Sequence, residues 1–92
     1  MIVSYRHKGL ELYATRGDRS KLQQQHIPRI KLILTRLDAA NAPDKMNEVG
    51  YHFHALKGDL KGFYSVRVSG NWRIIFRFVG EKAADVDYVD YH

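Results

Sequence analysis

The last three residues, Asp90-Tyr91-His92, set a carboxylate, a phenol and an imidazole side by side. An imidazole takes up and releases protons near neutral pH. Tyrosine adds a ring on which a nucleobase can stack and a hydroxyl that can move a proton, while aspartate can orient a neighbour. A terminal histidine is ordinarily frayed. This one follows a strand-forming run directly, so the last strand is expected to anchor it. Upstream, His54-Ala55-Leu56-Lys57-Gly58-Asp59 brings a second imidazole and an ammonium close together, with Gly58 and Gly62 bracketing a loop. The stretch Trp72-Arg73-Ile74-Ile75-Phe76-Arg77-Phe78 alternates with period two. It predicts Trp72, Ile74, Phe76 and Phe78 on a core face and Arg73, Ile75 and Arg77 on the other. That second face is either ordinary solvated charge or a phosphate-binding surface.

These residue types suit one reaction in particular, metal-independent cleavage of RNA. The ribose 2′-hydroxyl must lose a proton and attack phosphorus, the 5′-oxygen must gain a proton as it leaves, and the phosphorane charge must be stabilised. Lys57 and Arg73 can supply positive charge, and His92, His54 or Tyr91 can move protons. Other chemistries lack their signatures. There is no cysteine, which excludes disulfides, thiolate metal sites and cysteine nucleophiles. His52 and His54 are two apart, but no HExxH-type pair completes a metal site. Phosphate-cradling GxxxxGK[ST], GxGxxG and nucleophile-elbow GxSxG motifs are also absent. The expectation is no metal and no cofactor.

The elements that must position these groups are short. Residues 2–5 read as a strand, and Lys8 to Arg16 as a helix ended by Gly17. A longer helix is expected from about Gln24 to Ala40, with Ile27, Ile30, Leu34 and Leu37 as its core stripe and Pro28 tolerated in its first turn. Asn41-Ala42-Pro43-Asp44 breaks the pattern, and Met46 suits a short helical turn. Strand grammar begins near Tyr51. Strands are expected over Phe63–Val68, Trp72–Phe78 and Ala84–Tyr91, joined by turns at Ser69-Gly70-Asn71 and Gly80-Glu81-Lys82. The predicted class is α+β in the order β-α-α-β-β-β, with the last three strands as an antiparallel meander. With 92 residues, 45% of them hydrophobic, the chain is read as one domain, 1–92.

The formal net charge is +5, which favours polyanions such as nucleic acid, although many small basic proteins merely have basic surfaces. The charge is uneven. Residues 1–36 hold eight Lys/Arg against two acids, and residues 81–92 hold four acids against one lysine. No stretch is long and apolar enough to span a membrane, and the N-terminus lacks a signal-peptide core. A cytoplasmic protein is expected.

Taken in order, His7-Lys8-Gly9-Leu10, Leu56-Lys57-Gly58-Asp59 with Gly62, Ser65-Val66-Arg67-Val68, Asn71-Trp72-Arg73-Ile74 with Phe76, and the closing Asp90-Tyr91-His92 resemble the HigB toxins of the RelE/ParE superfamily. These are the plasmid maintenance killer proteins of toxin–antitoxin modules. The resemblance covers essentially the whole chain. It implies a compact microbial RNase fold and a toxin that cleaves mRNA in the ribosomal A site without metal or cofactor, inhibiting translation. It implies site roles for His54, Lys57, Arg73, Asp90, Tyr91 and His92: Lys57 and Arg73 as charge stabilisers, His92 in proton transfer, Tyr91 in stacking or orientation, Asp90 as a positioner. It also implies a helix-turn-helix antitoxin as partner, beside the ribosome with its 16S rRNA and the mRNA. Charge placement adds Arg19, Lys21, Arg29, Lys31, Arg67 and Arg77 as candidate RNA contacts. Two other readings compete. ParE-type relatives share the fold but inhibit DNA gyrase, and a non-catalytic RNA-binding protein would need only the basic charge.

Overall fold

The computed structural model describes residues 1–91; His92 lies outside the described residues. Helix α1 (Lys8–Arg16) starts where His7 accepts the Leu10 amide on Nδ1 at 3.2 Å, and it stops at Gly17, whose φ of 71° lets two helix carbonyls be capped. The second helical stretch opens with a 3-10 turn, Gln24–His26, and continues as α2 (Ile27–Ala39), with Pro28 in its first turn. Ile27, Ile30, Ile33, Leu34 and Leu37 form the buried stripe of α2. A further 3-10 turn, Pro43–Met46, buries Met46 as the sequence suggests.

Four strands follow: β1 (His54–Ala55), β2 (Tyr64–Ser69), β3 (Trp72–Val79) and β4 (Lys82–Asp90). They form one antiparallel sheet in the order β1-β2-β3-β4. Both helices lie on one face, where Leu10, Ile30 and Leu37 meet Val66, Ile74, Phe76 and Val86 in a single core. Burying each such side chain is worth about 1.5–3 kcal/mol relative to exposure. Inside this layer the Tyr88 hydroxyl pairs with His26 Nδ1 at 2.6 Å, and Trp72 stacks on Tyr88 at 4.5 Å. Burial, and less strongly Asp90, raise the Tyr88 pKa, with a hydrogen bond at the Gln23 backbone pulling the other way.

The expected N-terminal strand is reduced to two isolated parallel bridges, Ile2 with Ala83 and Tyr5 with Val86. The reason lies in β4. Between the pairs Ile75–Asp87 and Arg77–Ala84 the register shifts by one, and the additional β4 residue is accommodated at Asp85, whose φ is +52°. This bulge interrupts the edge beside the N-terminal segment. Ser4 mends the gap, its hydroxyl accepting the Asp85 amide at 2.8 Å. Asp is one of the few residues besides glycine that tolerate this conformation.

Ile75 takes the face that alternation predicts, but that face is dry there. It is only 3% exposed, buried with Phe63 and Ala84 on the face away from the helices. There Arg6 lies over the Phe63 ring, 4.9 Å from its centroid, and the 56–63 loop rises beside β2. A small apolar patch thus underlies a face that alternation alone reads as polar.

His7 carries a testable pH dependence. Burial pushes its pKa below the ordinary imidazole value, with the Asp87 carboxylate pulling more weakly the other way. Below about pH 6.5 the unfolded chain therefore takes up this proton more readily than the folded one. The contribution of His7 to stability is full above that pH and is lost as pH falls through the folded value. His7→Asn keeps a cap acceptor but no titrating ring. Urea midpoints at about pH 5.5 and 7.5 should differ less for this variant than for the parent; equal differences would exclude the linkage.

Candidate active site

The face of the sheet away from the helices is open, and strand register places its side chains. One row across it is His54, Ser65, Ile75, Asp87, and the next is Arg67, Arg73, Val89. Arg67 and Arg73 are therefore direct cross-strand neighbours on one face. Like charges directly opposite on a sheet are destabilising. An anion between them relieves the repulsion.

Arg73 sits half-buried at the centre. Its Nη1 donates to the carbonyls of Gly70 and Trp72 at 2.8 and 3.1 Å, in the β2–β3 turn. Its Nε is buried with no hydrogen-bond partner among the described residues, an omission worth about 1–3 kcal/mol for a polar group. From the register, Arg73 lies about 10 Å across the sheet and about 7 Å along it from His54 on the backbone. Tyr91 lies at the opposite corner. It follows Val89, the cross-strand partner of Arg73, by two residues, and its amide donates to the Asn71 carbonyl at 2.8 Å. That bond holds the last described residue against the β2–β3 turn. Lys57 follows β1 at the start of the 3-10 turn Gly58–Leu60. It is exposed, and its ammonium has no partner among the described residues.

The predicted residues do not all converge. Asp90 pairs in register with Trp72, a residue of the helix-side core layer, so Asp90 and Tyr91 straddle the plane of the sheet instead of sharing a face. Asp90 belongs to the Trp72–Tyr88 surroundings, where its charge reaches Tyr88. His92 lies outside the described residues.

The candidate RNA contacts divide as well. Arg19, Lys21 and Lys31 are exposed on the helical side. Arg29 is engaged structurally: Nη2 donates to the Gly50 carbonyl at 2.7 Å, and its guanidinium lies 4.5 Å over the Tyr51 ring. Arg77 donates from Nε to Asp85 at 2.6 Å. That hydrogen bond holds the Asp85 carboxyl below its ordinary pKa, with the Arg77 and Arg6 charges adding to the effect. Arg67 keeps its place on the open face, with Nη1 3.5 Å from His52 Nε2. Of the candidates outside the helical side, Lys57, Arg67 and Arg73 have no carboxylate partner among the described residues.

Sequence reasoning missed Ser65 and His52. Ser65 is fully buried, and its hydroxyl lies 3.5 Å from His54 Nε2. His52 holds φ at +48° and offers its carbonyl to His54 Nδ1 at 3.0 Å. Only the β1–β2 register reveals the first. The second has a faint local signal in Gly50 two residues earlier, also at positive φ.

The paired arginines predict an anion effect. Inorganic phosphate at tens of millimolar should raise the melting temperature by several degrees, and Arg67→Gln or Arg73→Gln should remove most of the rise. An unchanged rise in both variants would place the anion elsewhere.

Known proteins resemble this chain over its whole length. A protein of Proteus vulgaris named Endoribonuclease HigB is 40% identical over 92 residues, the full length of both chains. Toxin HigB-1 of Vibrio cholerae is 33% identical over 94 residues, covering all of this chain and 98% of that one. Among solved structures, the YoeB/ParE toxin from Agrobacterium tumefaciens shares the fold with a TM-score of 0.57 at 16% identity, covering 100% of this chain and 99% of that one. YafQ from E. coli strain BL21(DE3) does so with a TM-score of 0.53 at 14% identity, covering 98% and 93%. Residues 3–92 match the HigB-like toxin family, the RelE-like toxin of the type II toxin-antitoxin system HigB, and the chain belongs to that family.

Proposed function

We propose that this chain is an endoribonuclease toxin that cleaves mRNA in the ribosomal A site and thereby stops translation. The observation that carries the reading is the open sheet face, where Arg67 and Arg73 stand side by side between His54 and Tyr91. A phosphodiester seated on the two guanidiniums has a base candidate on one side and a stacking or proton-donating candidate on the other. The ribose 2′-oxygen forms the new bond to phosphorus while its proton passes to an imidazole. The 5′-oxygen leaves with a proton from a separate donor, for which Tyr91 and His92 are the candidates. Arg73 and Lys57 hold the charge that builds on the phosphorane. The chain supplies proton carriers and cations for every step, so the scheme calls for no metal or cofactor.

The 40% identical relative bears the name Endoribonuclease HigB, which supports RNA as the target. Membership of a toxin–antitoxin family implies a cognate antitoxin, here proposed to be a helix-turn-helix protein. Arg19, Lys21 and Lys31, which face away from the cleaving surface, are proposed to contact ribosomal RNA. No helix is long and apolar enough to cross a membrane among the described residues, and the site of action proposed is the cytoplasm.

Mapping mRNA ends by primer extension in a translating extract tests the reading. Cleavage within codons, dependent on ribosomes, is expected. Arg73→Ala should slow it by about 10²–10³-fold, the usual effect of removing one transition-state charge partner. Intact mRNA together with blocked gyrase supercoiling would transfer the protein to the ParE-like activity. A triple reversal of Arg19, Lys21 and Lys31 to glutamate should weaken ribosome binding and flatten its salt dependence, because fewer phosphate counterions are released. Binding unchanged at physiological salt would remove those residues from the interface.

A further inference from the structure

The proton-transfer assignment leaves open which way His54 works, and the backbone before β1 bears on it. His52 has φ +48°, a conformation that residues with a side chain adopt rarely. The segment is pinned on both sides. Arg29 holds the Gly50 carbonyl, the Tyr51 carbonyl accepts the Arg67 amide at 2.6 Å, and His54 is already in register with Ser65. Between these anchors the chain makes its left-handed step at His52. The His52 carbonyl then lies 3.0 Å from Nδ1 of His54. A carbonyl oxygen only accepts hydrogen bonds, so Nδ1 of the neutral ring carries the proton and Nε2 carries the lone pair. Nε2 lies toward the open face, 3.5 Å from the buried Ser65 hydroxyl. That contact is at the outer limit of a hydrogen bond, so Nε2 is only weakly engaged.

We infer that His52 is a positioning residue whose left-handed backbone carbonyl fixes His54 in the Nδ1–H tautomer, presenting Nε2 as the base that takes the 2′-hydroxyl proton. This rests on the endoribonuclease reading above and deepens it. In the step, the 2′-oxygen–phosphorus bond forms as its proton moves to Nε2, and the phosphorus–5′-oxygen bond breaks with a proton supplied from the Tyr91 end. The His52 ring has no part in the assignment; the conformation of its backbone does. Residues that accept positive φ should therefore replace it, and a β-branched residue should not.

Nitrogen-15 NMR of the intact protein reads the tautomer directly, independent of activity. His54 should show a protonated Nδ1 in the parent, in His52→Gly and in His52→Asn, and a mixture of tautomers in His52→Val. Single-turnover cleavage on programmed ribosomes should stay within about threefold of the parent for the Gly and Asn variants and fall about tenfold or more for Val. Ribosome affinity should be unchanged in all three. A protonated Nε2 in the parent protein, or a Val variant that cleaves like the parent, would overturn the inference. If His54→Gln cleaves normally, His54 is not the base, and the inference fails while the endoribonuclease reading stands. If the parent cleaves no RNA, that reading fails, and the NMR result still decides whether the carbonyl sets the tautomer.

Discussion

The two helices cover one face of the four-stranded sheet, and Arg6 and the 56–63 loop reach only part of the other. Ile27, Ile30, Ile33, Leu34 and Leu37 of α2 are committed to the helix-side core, while Leu32 faces solvent. The opposite face must therefore be polar enough to meet water, yet its strands still demand alternating residues that pack. The result is a surface with Ile75, Phe63, Ala84 and Ser65 as a dry floor and guanidiniums and an imidazole standing on it. A floor of low dielectric strengthens the attraction between those charges and a bound phosphate.

Position on that face is set by backbone devices more than by side-chain chemistry. The bulge at Asp85 shifts the register of β4, and its carboxylate takes up Arg77. Arg29 does comparable work on the other flank, locking Gly50 and Tyr51 against β2. Two arginines that charge assigns to RNA thus also have partners within the fold. Lys57, Arg67 and Arg73 have no carboxylate partner of this kind among the described residues.

Much of this architecture is legible in the sequence, for physical reasons. The apolar spacing of Ile27, Ile30, Leu34 and Leu37 reports α2 because a helix repeats every 3.6 residues. Gly70 and Gly80, both at positive φ, report the hairpins because two-residue loops demand such a residue. The bulge is not legible, since an aspartate in a left-handed conformation looks like any other strand-facing aspartate. Its consequence, the break in the N-terminal strand, is equally hidden. Alternation places Ile75 on its face correctly but does not report whether that face is wet. For the site, Lys57, Arg73 and Tyr91 can be named from residue type and family resemblance. The separation of Asp90 from Tyr91 by the plane of the sheet, and the hold of His52 on His54, arise from register and backbone angle. No composition of residues encodes these visibly.

The stack of Trp72 on Tyr88 has a practical side. Trp72 is the single tryptophan of the chain. It is half-buried, edge-on to His26, and opposite Asp90 in the strand pair that ends at Tyr91. An indole placed between a hydrogen-bonded histidine and the last turn of the sheet is a built-in fluorophore. Its emission responds to whatever reorders that corner, whether an RNA end or a bound protein. The molecule thus carries its own optical gauge of occupancy, readable without a label and without waiting for a bond to break.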